Sequence, residues 1–245
     1  MTTVSRWRAD QQQLVAAAVQ VALLAALSIT IGLGPVGWLA GVAYLLGLWS
    51  LLAAAARRAR VTTFGPADLV TLGRAALVGA VTALVADGLW TGEPRVVPLV
   101  GIAAVAAALD AVDGQVARRS GTVSELGARF DMEVDSFLVL VLSVHVAALV
   151  GPWALVIGAM RYIFVAAGRV APWLRSTLPP RYSAKAVAAT TSSVLVVTAA
   201  DILPRSVAIA VVATVLALLV WSFGQSVAWL WRRAHRPGRT GSPPQ

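Results

Sequence analysis

Long apolar runs, each close to the length that crosses a bilayer, dominate the chain. A transmembrane helix needs about 20 mostly apolar residues, and these runs lack the alternation of barrel strands. Gly-Pro pairs such as Gly34-Pro35, Gly65-Pro66 and Gly151-Pro152 separate several of the runs. The pattern predicts eight membrane helices, at about 13–33, 36–56, 67–87, 97–117, 129–150, 153–173, 184–201 and 206–230. The predicted fold class is therefore all-α, a polytopic membrane helical bundle.

Basic and flexible stretches suggest how the spans are organised. The stretch Arg57–Arg60 separates two N-terminal spans from the six that follow. We expect residues 1–60 to form an accessory transmembrane hairpin and residues 61–231 to form a six-helix core. Residues 232–245 are basic and rich in Pro and Gly, a composition typical of a disordered tail.

Composition supports a membrane protein and argues against disulfides, thiolate metal sites and nucleic-acid binding. The chain is 58% hydrophobic and 13% charged, whereas a soluble domain is about a quarter charged. Cysteine is absent, which excludes disulfides and thiolate metal sites. The net charge of +9 does not indicate nucleic-acid binding, because the basic residues cluster at the ends of apolar runs. Under the positive-inside rule, their distribution predicts a multi-pass protein of the cell membrane with a cytoplasmic N-terminus.

Four aspartates interrupt the apolar pattern at the predicted cytoplasmic ends of the fourth and fifth spans. Asp110 and Asp113 are three residues apart, and Asp131 and Asp135 are four apart, so each pair shares one face of its helix. A short connection predicts antiparallel neighbouring helices whose four carboxylates meet in one pocket. A carboxylate at membrane depth costs about 2.5–3.5 kcal/mol on insertion scales and marks a candidate functional site. Glu133 is expected to point elsewhere.

Carboxylates this close to one another need a counter-charge. Mg²⁺ or Mn²⁺ suits such oxygen ligands, and these ions usually bind substrate phosphates as well. No His or Cys lies nearby to favour zinc. Gly114 and Gly127 would let a ligand approach the backbone, and Arg118 would offer a fork of donors to a phosphate. These residues predict phosphate chemistry at the membrane surface, where two metal ions can clamp the attacking and leaving oxygens.

The acidic residues belong to a longer pattern, Asp-x-x-Asp-Gly-x-x-Ala-Arg, eight residues, then Gly-x-x-x-Asp-x-x-x-Asp. This pattern resembles the signature of the CDP-alcohol phosphotransferase (CDP-alcohol phosphatidyltransferase) family at every position, spacing included. The matching residues are Asp110, Asp113, Gly114, Ala117, Arg118, Gly127, Asp131 and Asp135. The segment Asp68–Arg74 is similar to the family's Asn-x-x-Thr-x-x-Arg segment, with Asp68 in place of Asn. The resemblance covers roughly residues 66–230.

The resemblance implies an enzyme of phospholipid biosynthesis with six core membrane helices, often a homodimer. Such enzymes transfer a substituted phosphate group from a CDP-linked donor, commonly CDP-diacylglycerol, to an alcohol and release CMP. By this likeness Asp110 and Asp131 would bridge two divalent ions, Mg²⁺ or Mn²⁺, Asp113 would hold one ion and Asp135 the other. Asp135 would also be the general base. The implied binding site for the CDP donor comprises Asp68, Thr71, Gly114, Ala117, Arg118, Ser124 and Gly127.

Basic residues outside the signature are candidate ligands of the acceptor. Arg161 lies within the sixth span and needs an anionic partner, which could be a site aspartate, a phosphate of the acceptor or a structural partner. Arg181 and Lys185 could bind an anionic head group or follow the positive-inside rule. Arg74 could serve the donor site or form an ion pair with Asp68 or Asp110. The three acceptor candidates mildly favour a phosphorylated alcohol, but the sequence does not identify the acceptor.

Other functions account for less of the pattern. An intramembrane prenyltransferase also uses aspartate-rich helices and Mg²⁺, but its motifs are spaced differently. A buried polar network, or the cation pathway of a transporter, would leave the glycines and Arg118 unexplained. A non-catalytic protein that binds a nucleotide-lipid remains a further alternative, which the intact signature disfavours. The expected partners are a CDP-diacylglycerol-type lipid donor, a small alcohol acceptor and the lipid bilayer, and no nucleic acid.

Overall fold

A computed structural model of the protein describes residues 9–60, 64–120, 125–175 and 182–234. These residues form eight α-helices and no strand, which confirms the predicted all-α bundle. The helices are α1 (Ala9–Ile31), α2 (Pro35–Ala59), α3 (Pro66–Thr91), α4 (Val96–Ser120), α5 (Glu125–Val150), α6 (Leu155–Val170), α7 (Tyr182–Ala199) and α8 (Arg205–Ala234). Short 3₁₀ turns at Pro152–Ala154 and Pro172–Arg175 lie on either side of α6. Helix α8 continues to Ala234, into the segment predicted as a tail, and residues 235–245 lie outside the described ranges.

Length and composition make this a multi-pass membrane protein. Six segments of the described chain are long and apolar enough to cross a bilayer, in α1, α2, α3, α5, α6 and α8. Helices α4 and α7 are apolar over shorter stretches, Val96–Asp110 and Ala186–Ala199. Large apolar side chains such as Leu14, Ile29 and Val170 are exposed on the outside of the bundle. Exposed apolar surface of this kind suits a lipid environment and would be a liability in water.

Helix α3 lies at the centre of the bundle. It packs against α1, α2, α4 and α5, while α6, α7 and α8 complete the bundle around α5 and α4. Small residues such as Ala75, Ala76 and Ala80 are fully buried along α3. Small side chains let neighbouring helix backbones approach closely, which is how membrane helices gain packing energy without a hydrophobic driving force between them. The composition of α3 thus explains why four helices can surround it.

The first two helices share the hydrophobic core of the remaining six. Gly37 and Gly41 lie one turn apart on α2 and face α3: an added Cβ would lie 3.0 Å from the carbonyl oxygen of Ala83 and 3.3 Å from its Cβ, respectively. The buried side chain of Gln20 on α1 donates to the carbonyl oxygen of Gly41 at 3.1 Å and accepts from Trp49 Nε1 at 3.2 Å. These hydrogen bonds join α1 to α2, and the close packing of Gly37 and Gly41 holds α2 against α3.

Candidate metal and nucleotide site

The first turn of α3 is built from a Gly-Pro pair and an aspartate. Gly65 is the N-cap residue and Pro66 begins the helix, where its missing N–H costs nothing. The buried carboxylate of Asp68 accepts a hydrogen bond from the Gly65 N–H at 2.9 Å. This contact also sets a negative charge at the positive end of the helix dipole. One turn on, the buried Thr71 hydroxyl donates to the Ala67 carbonyl at 3.3 Å. Both side chains predicted for the donor site therefore have local structural contacts.

Arg74, two turns into α3, contacts aspartates of two other helices, α4 and α5. Its Nη1 donates to Asp110 Oδ1 at 2.7 Å and to Asp131 Oδ1 at 2.5 Å. Its Nη2 lies 3.7 Å from Asp135 Oδ1. Three of the four aspartates predicted as metal ligands therefore surround one guanidinium. Of the alternatives considered for Arg74, the structure contains the ion pair with Asp110.

The charged side chains of this cluster differ in their exposure. The Arg74 side chain is completely buried, whereas Asp110, Asp131 and Asp135 retain 46%, 36% and 33% of their side-chain exposure. A buried charge at membrane depth needs partners, and two charge-assisted hydrogen bonds with a third carboxylate nearby supply them. The aspartates are the accessible side of the cluster, so a ligand reaches the carboxylates before it reaches the arginine.

Helix α3 lies between the two acidic helices. Helices α4 and α5 each pack along α3 and have few contacts with one another. The sequence predicted that their carboxylates would meet because the helices are neighbours. The carboxylates do meet for the described residues Asp110, Asp131 and Asp135, but through the arginine of a third helix. On α5, buried Gly127 precedes Asp131 and Asp135 at successive four-residue intervals and so shares their face.

The structure does not describe the side chains of the remaining signature residues or of three other predicted site residues. Asp113, Gly114, Ala117 and Arg118 belong to α4, and their side chains lie outside the described part of the structure. Lys185 belongs to α7, and its side chain is likewise not described. Ser124 and Arg181 lie outside the described residues altogether. The assignment of Asp113 to the metal site, and of the others to the donor and acceptor sites, stays a prediction.

The anionic partner of Arg161 lies on a different face of α5 from the two aspartates. Its guanidinium forms an ion pair with Glu133 and contacts Met132 Sδ at 2.9 Å. Glu133 was expected to point away from the aspartates, and this pairing agrees with that expectation. Of the three kinds of partner considered for Arg161, the structure therefore contains the structural pair within the bundle. The pair is partly exposed, so its contribution to stability is about 1 kcal/mol or less.

Two cavities flank α5. One, of about 400 Å³, lies among α5, α6, α7 and α8 and is lined by Asp135, Ser136 and Arg161 together with apolar side chains. The other, of about 830 Å³, lies among α2, α3, α5 and α6 and is almost entirely apolar, with Arg129 and Glu133 in its lining. The smaller cavity brings a site carboxylate and a candidate acceptor ligand to one space. The larger one lies beside the face of α5 that carries Glu133.

The donor set of the cluster suits a hard divalent ion. Asp110 Oδ1 and Asp131 Oδ1 converge on a single cationic nitrogen, and Asp135 Oδ1 lies close by. Carboxylate oxygens are the ligands that Mg²⁺ and Mn²⁺ prefer. Among the side chains that the structure describes, no group of three ligands is already arranged to hold an ion. The guanidinium of Arg74 contacts oxygens of Asp110 and Asp131 that would serve as ligands of such an ion.

The family model for CDP-alcohol phosphatidyltransferase matches residues 64–224. The chain belongs to this family. A CDP-alcohol phosphatidyltransferase transfers a phosphate-linked group from a CDP-alcohol, and the family generally uses divalent metals. The predicted resemblance is therefore confirmed, over nearly the range expected. Searches of curated proteins and of solved structures gave no match.

The predicted site lacks Arg74, although the structure places this residue among the aspartates. The sequence predicts a role in the donor site or an ion pair for it, and the predicted site residues do not include it. A usable signal was present, because an arginine in the middle of an apolar helix requires an anionic partner. The three described aspartates of the signature were the anions available at the same end of the bundle.

Proposed function

We propose that this member of the CDP-alcohol phosphatidyltransferase family is a metal-dependent enzyme that transfers a phosphatidyl group from CDP-diacylglycerol to a small alcohol and releases CMP. The observation that carries the proposal is the cluster of Asp110, Asp131 and Asp135, drawn from two helices to one point. A lipid donor is favoured because the chain is a multi-pass membrane protein whose carboxylates lie within apolar helices.

The reaction is a displacement at phosphorus. The hydroxyl oxygen of the acceptor forms a bond to the phosphorus nearer the lipid, and the bond from that phosphorus to the bridging oxygen of the diphosphate breaks. CMP leaves with the bridging oxygen. Asp135 takes the proton of the acceptor hydroxyl, a role that typically contributes about 10²–10⁴-fold to the rate. Its carboxylate lines the 400 Å³ cavity and is partly exposed, so an acceptor can approach it.

Asp110, Asp113, Asp131 and Asp135 would hold two divalent ions. When bound, the ions supply positive charge that stabilises the diphosphate as its charge builds up. Further residues of the chain would bind the CDP part of the donor, namely Asp68, Thr71, Gly114, Ala117, Arg118, Ser124 and Gly127. The positive-inside distribution of Lys and Arg favours a cytoplasmic position for this end of the bundle, where CDP-linked donors are accessible.

The acceptor is proposed to enter through the cavity that Asp135 shares with Arg161. Arg161 presents a cation there, although Glu133 is its partner in the structure. An anionic group on the acceptor would compete with Glu133 for that guanidinium. This favours a phosphorylated alcohol over a neutral one, with Arg181 and Lys185 as the other proposed ligands.

The test is CMP release by the purified protein. The full chain in detergent is supplied with CDP-diacylglycerol, Mn²⁺ or Mg²⁺ and a panel of alcohols, and both CMP and the new lipid are identified. Asp135→Asn should lower CMP release by at least about tenfold, since it removes the general base. EDTA should stop turnover, and added Mn²⁺ or Mg²⁺ should restore it.

A matched control is Asp10→Asn, the same carboxylate-to-amide change at an exposed position on α1. This variant should release CMP at the wild-type rate. CMP release that persists in metal-free buffer would overturn the metal assignment, and an Asp135→Asn variant with more than a tenth of wild-type activity would overturn the general-base role. Binding of the donor without any CMP release would favour the non-catalytic alternative.

A further inference from the structure

One fully buried cation in this bundle contacts the oxygens that the proposed ions would require. Arg74 Nη1 lies 2.7 Å from Asp110 Oδ1 and 2.5 Å from Asp131 Oδ1, and both of these oxygens belong to proposed metal ligands. Arg74 Nη2 is 3.7 Å from a third proposed ligand, Asp135. A guanidinium and a divalent ion cannot share the same oxygens at such distances without strong repulsion between them.

We infer that Arg74 is a built-in competitor of the metal, a positioning residue that holds the carboxylates together when no ion is bound and weakens their affinity for one. The inference rests on the proposed function, because it takes these aspartates as metal ligands. Arg74 suits the role because it comes from a third helix and is completely buried. Arginine also stays protonated even in apolar surroundings, so the competing charge is permanent.

The energetic reason for such a residue is the repulsion among the aspartates. Three carboxylates around one point repel one another, and a cation placed among them offsets that repulsion. An internal cation keeps the bundle folded before metal arrives. In exchange, an ion has to displace the hydrogen bonds of Arg74 before it can bind. The site therefore binds metal less tightly than the same carboxylates would without the arginine.

The direct test is Mn²⁺ affinity, measured in the full-length protein in detergent without nucleotide or acceptor. Free Mn²⁺ is followed by its electron paramagnetic resonance spectrum during titration. Arg74→Gln should bind Mn²⁺ at least about tenfold more tightly than wild type, because a unit charge close to the ion is removed even if the effective dielectric constant is as high as ~20. Arg74→Lys keeps the charge but loses the fork that joins two carboxylates, so its affinity should fall between the other two.

Thermal unfolding gives a second readout. In EDTA, Arg74→Gln should melt at a lower temperature than wild type, since its carboxylates lack their counter-charge. At the same saturating Mn²⁺ concentration, its melting temperature should rise by more than that of wild type, because the stabilisation that a ligand gives to the folded state grows with the logarithm of its affinity. A purely structural arginine would lower the melting temperature equally with and without metal and would leave Mn²⁺ affinity unchanged.

Asp131→Asn serves as the control that locates the ion, and it should abolish tight Mn²⁺ binding. Mn²⁺ affinity in Arg74→Gln that is equal to or weaker than wild type would overturn the inference, as would the absence of Mn²⁺ binding in both proteins. If Arg74→Gln cannot be purified folded, Arg74→Lys decides, and an affinity no tighter than wild type refutes the competition. A wild-type protein that binds Mn²⁺ but releases no CMP would refute the proposed transfer reaction alone.

Discussion

Replacing Gly158 with alanine should push α6 away from α5 at the cavity that contains Asp135. Gly158 is buried on α6, and a Cβ added there would lie 2.5 Å from Leu140 Cα, 3.0 Å from Leu140 Cδ1 and 3.1 Å from Ser143 Oγ. The nearest of these atoms is backbone, so no change of rotamer can relieve the contact. Carbon atoms pack at about 3.5–4.0 Å. The two helices therefore have to separate by about 1 Å.

The magnitude follows from two opposing terms. Overpacking of a well-packed interior costs about 1–3 kcal/mol. Alanine recovers up to about 1 kcal/mol because its helix propensity exceeds that of glycine. Gly224→Ala on α8 is the matched control, since that glycine is exposed and a Cβ there would have no neighbour within 4 Å. Both variants gain the propensity term, so the difference between them isolates the packing cost, about 1–3 kcal/mol.

The assay is unfolding of the purified protein in mixed micelles with increasing SDS, followed by tryptophan fluorescence. The same variants are then compared for CMP release. A helix shift of about 1 Å at the cavity that Arg161 and Asp135 line can cost up to about a hundredfold in rate, so Gly158→Ala should lose activity as well as stability. The reasoning is refuted if Gly158→Ala and Gly224→Ala unfold at the same SDS fraction.

Two further substitutions test how the first helices are held. Asp87→Ala removes the carboxylate on α3 that accepts from the Gly34 N–H at 3.0 Å at the start of α2. Loss of this hydrogen bond should cost about 1 kcal/mol in the same SDS titration, and an unchanged midpoint would show that the contact does not stabilise α2. Gly79→Ala would bring a Cβ to within 2.2 Å of Gln20 Nε2, so Gln20 should lose its hydrogen bonds to Gly41 and Trp49. That change should be visible as altered tryptophan emission in the folded protein, and an identical spectrum would contradict it.

The helices could be predicted from the sequence because their cause is local. A bilayer allows only segments that satisfy their own backbone hydrogen bonds, and the apolar lengths together with Gly-Pro breaks such as Gly34-Pro35 gave all eight helices to within a few residues. The pairing of helices was harder to predict. Each helix is apolar on most sides, so no polar face indicates which neighbour it prefers. The central position of α3 arises from small residues such as Gly79 and Ala83, whose effect depends on matching surfaces of other helices.

The same distinction applies to the site. Spacing alone placed Asp131 and Asp135 on one face of α5, and Glu133 on another, because 100° per residue is a property of any α-helix. The partner of Arg161 depends on how α5 is rotated toward α6, which no local pattern specifies. Arg74 shows both what can be predicted from the sequence and what cannot. Its need for an anion could be inferred from its place in an apolar helix, whereas the choice of two aspartates on two helices required the packed bundle.

Helices α1 and α2 lie before the family-matched region, and α1 contacts the chain just before the part of α3 that carries Asp68 and Arg74. The side-chain amide of Gln12 on α1 accepts from the Phe64 N–H at 2.8 Å and donates to the Phe64 carbonyl at 3.4 Å. Phe64 immediately precedes the N-cap residue of α3. Helix α1 therefore holds the chain at the point where α3 begins, and further along Gln20 and Gly41 pack closely against Gly79 and Ala83 of α3. Because Arg74 reaches the aspartates only if α3 keeps its position along α4 and α5, helices outside the matched region contribute to the geometry of the cluster.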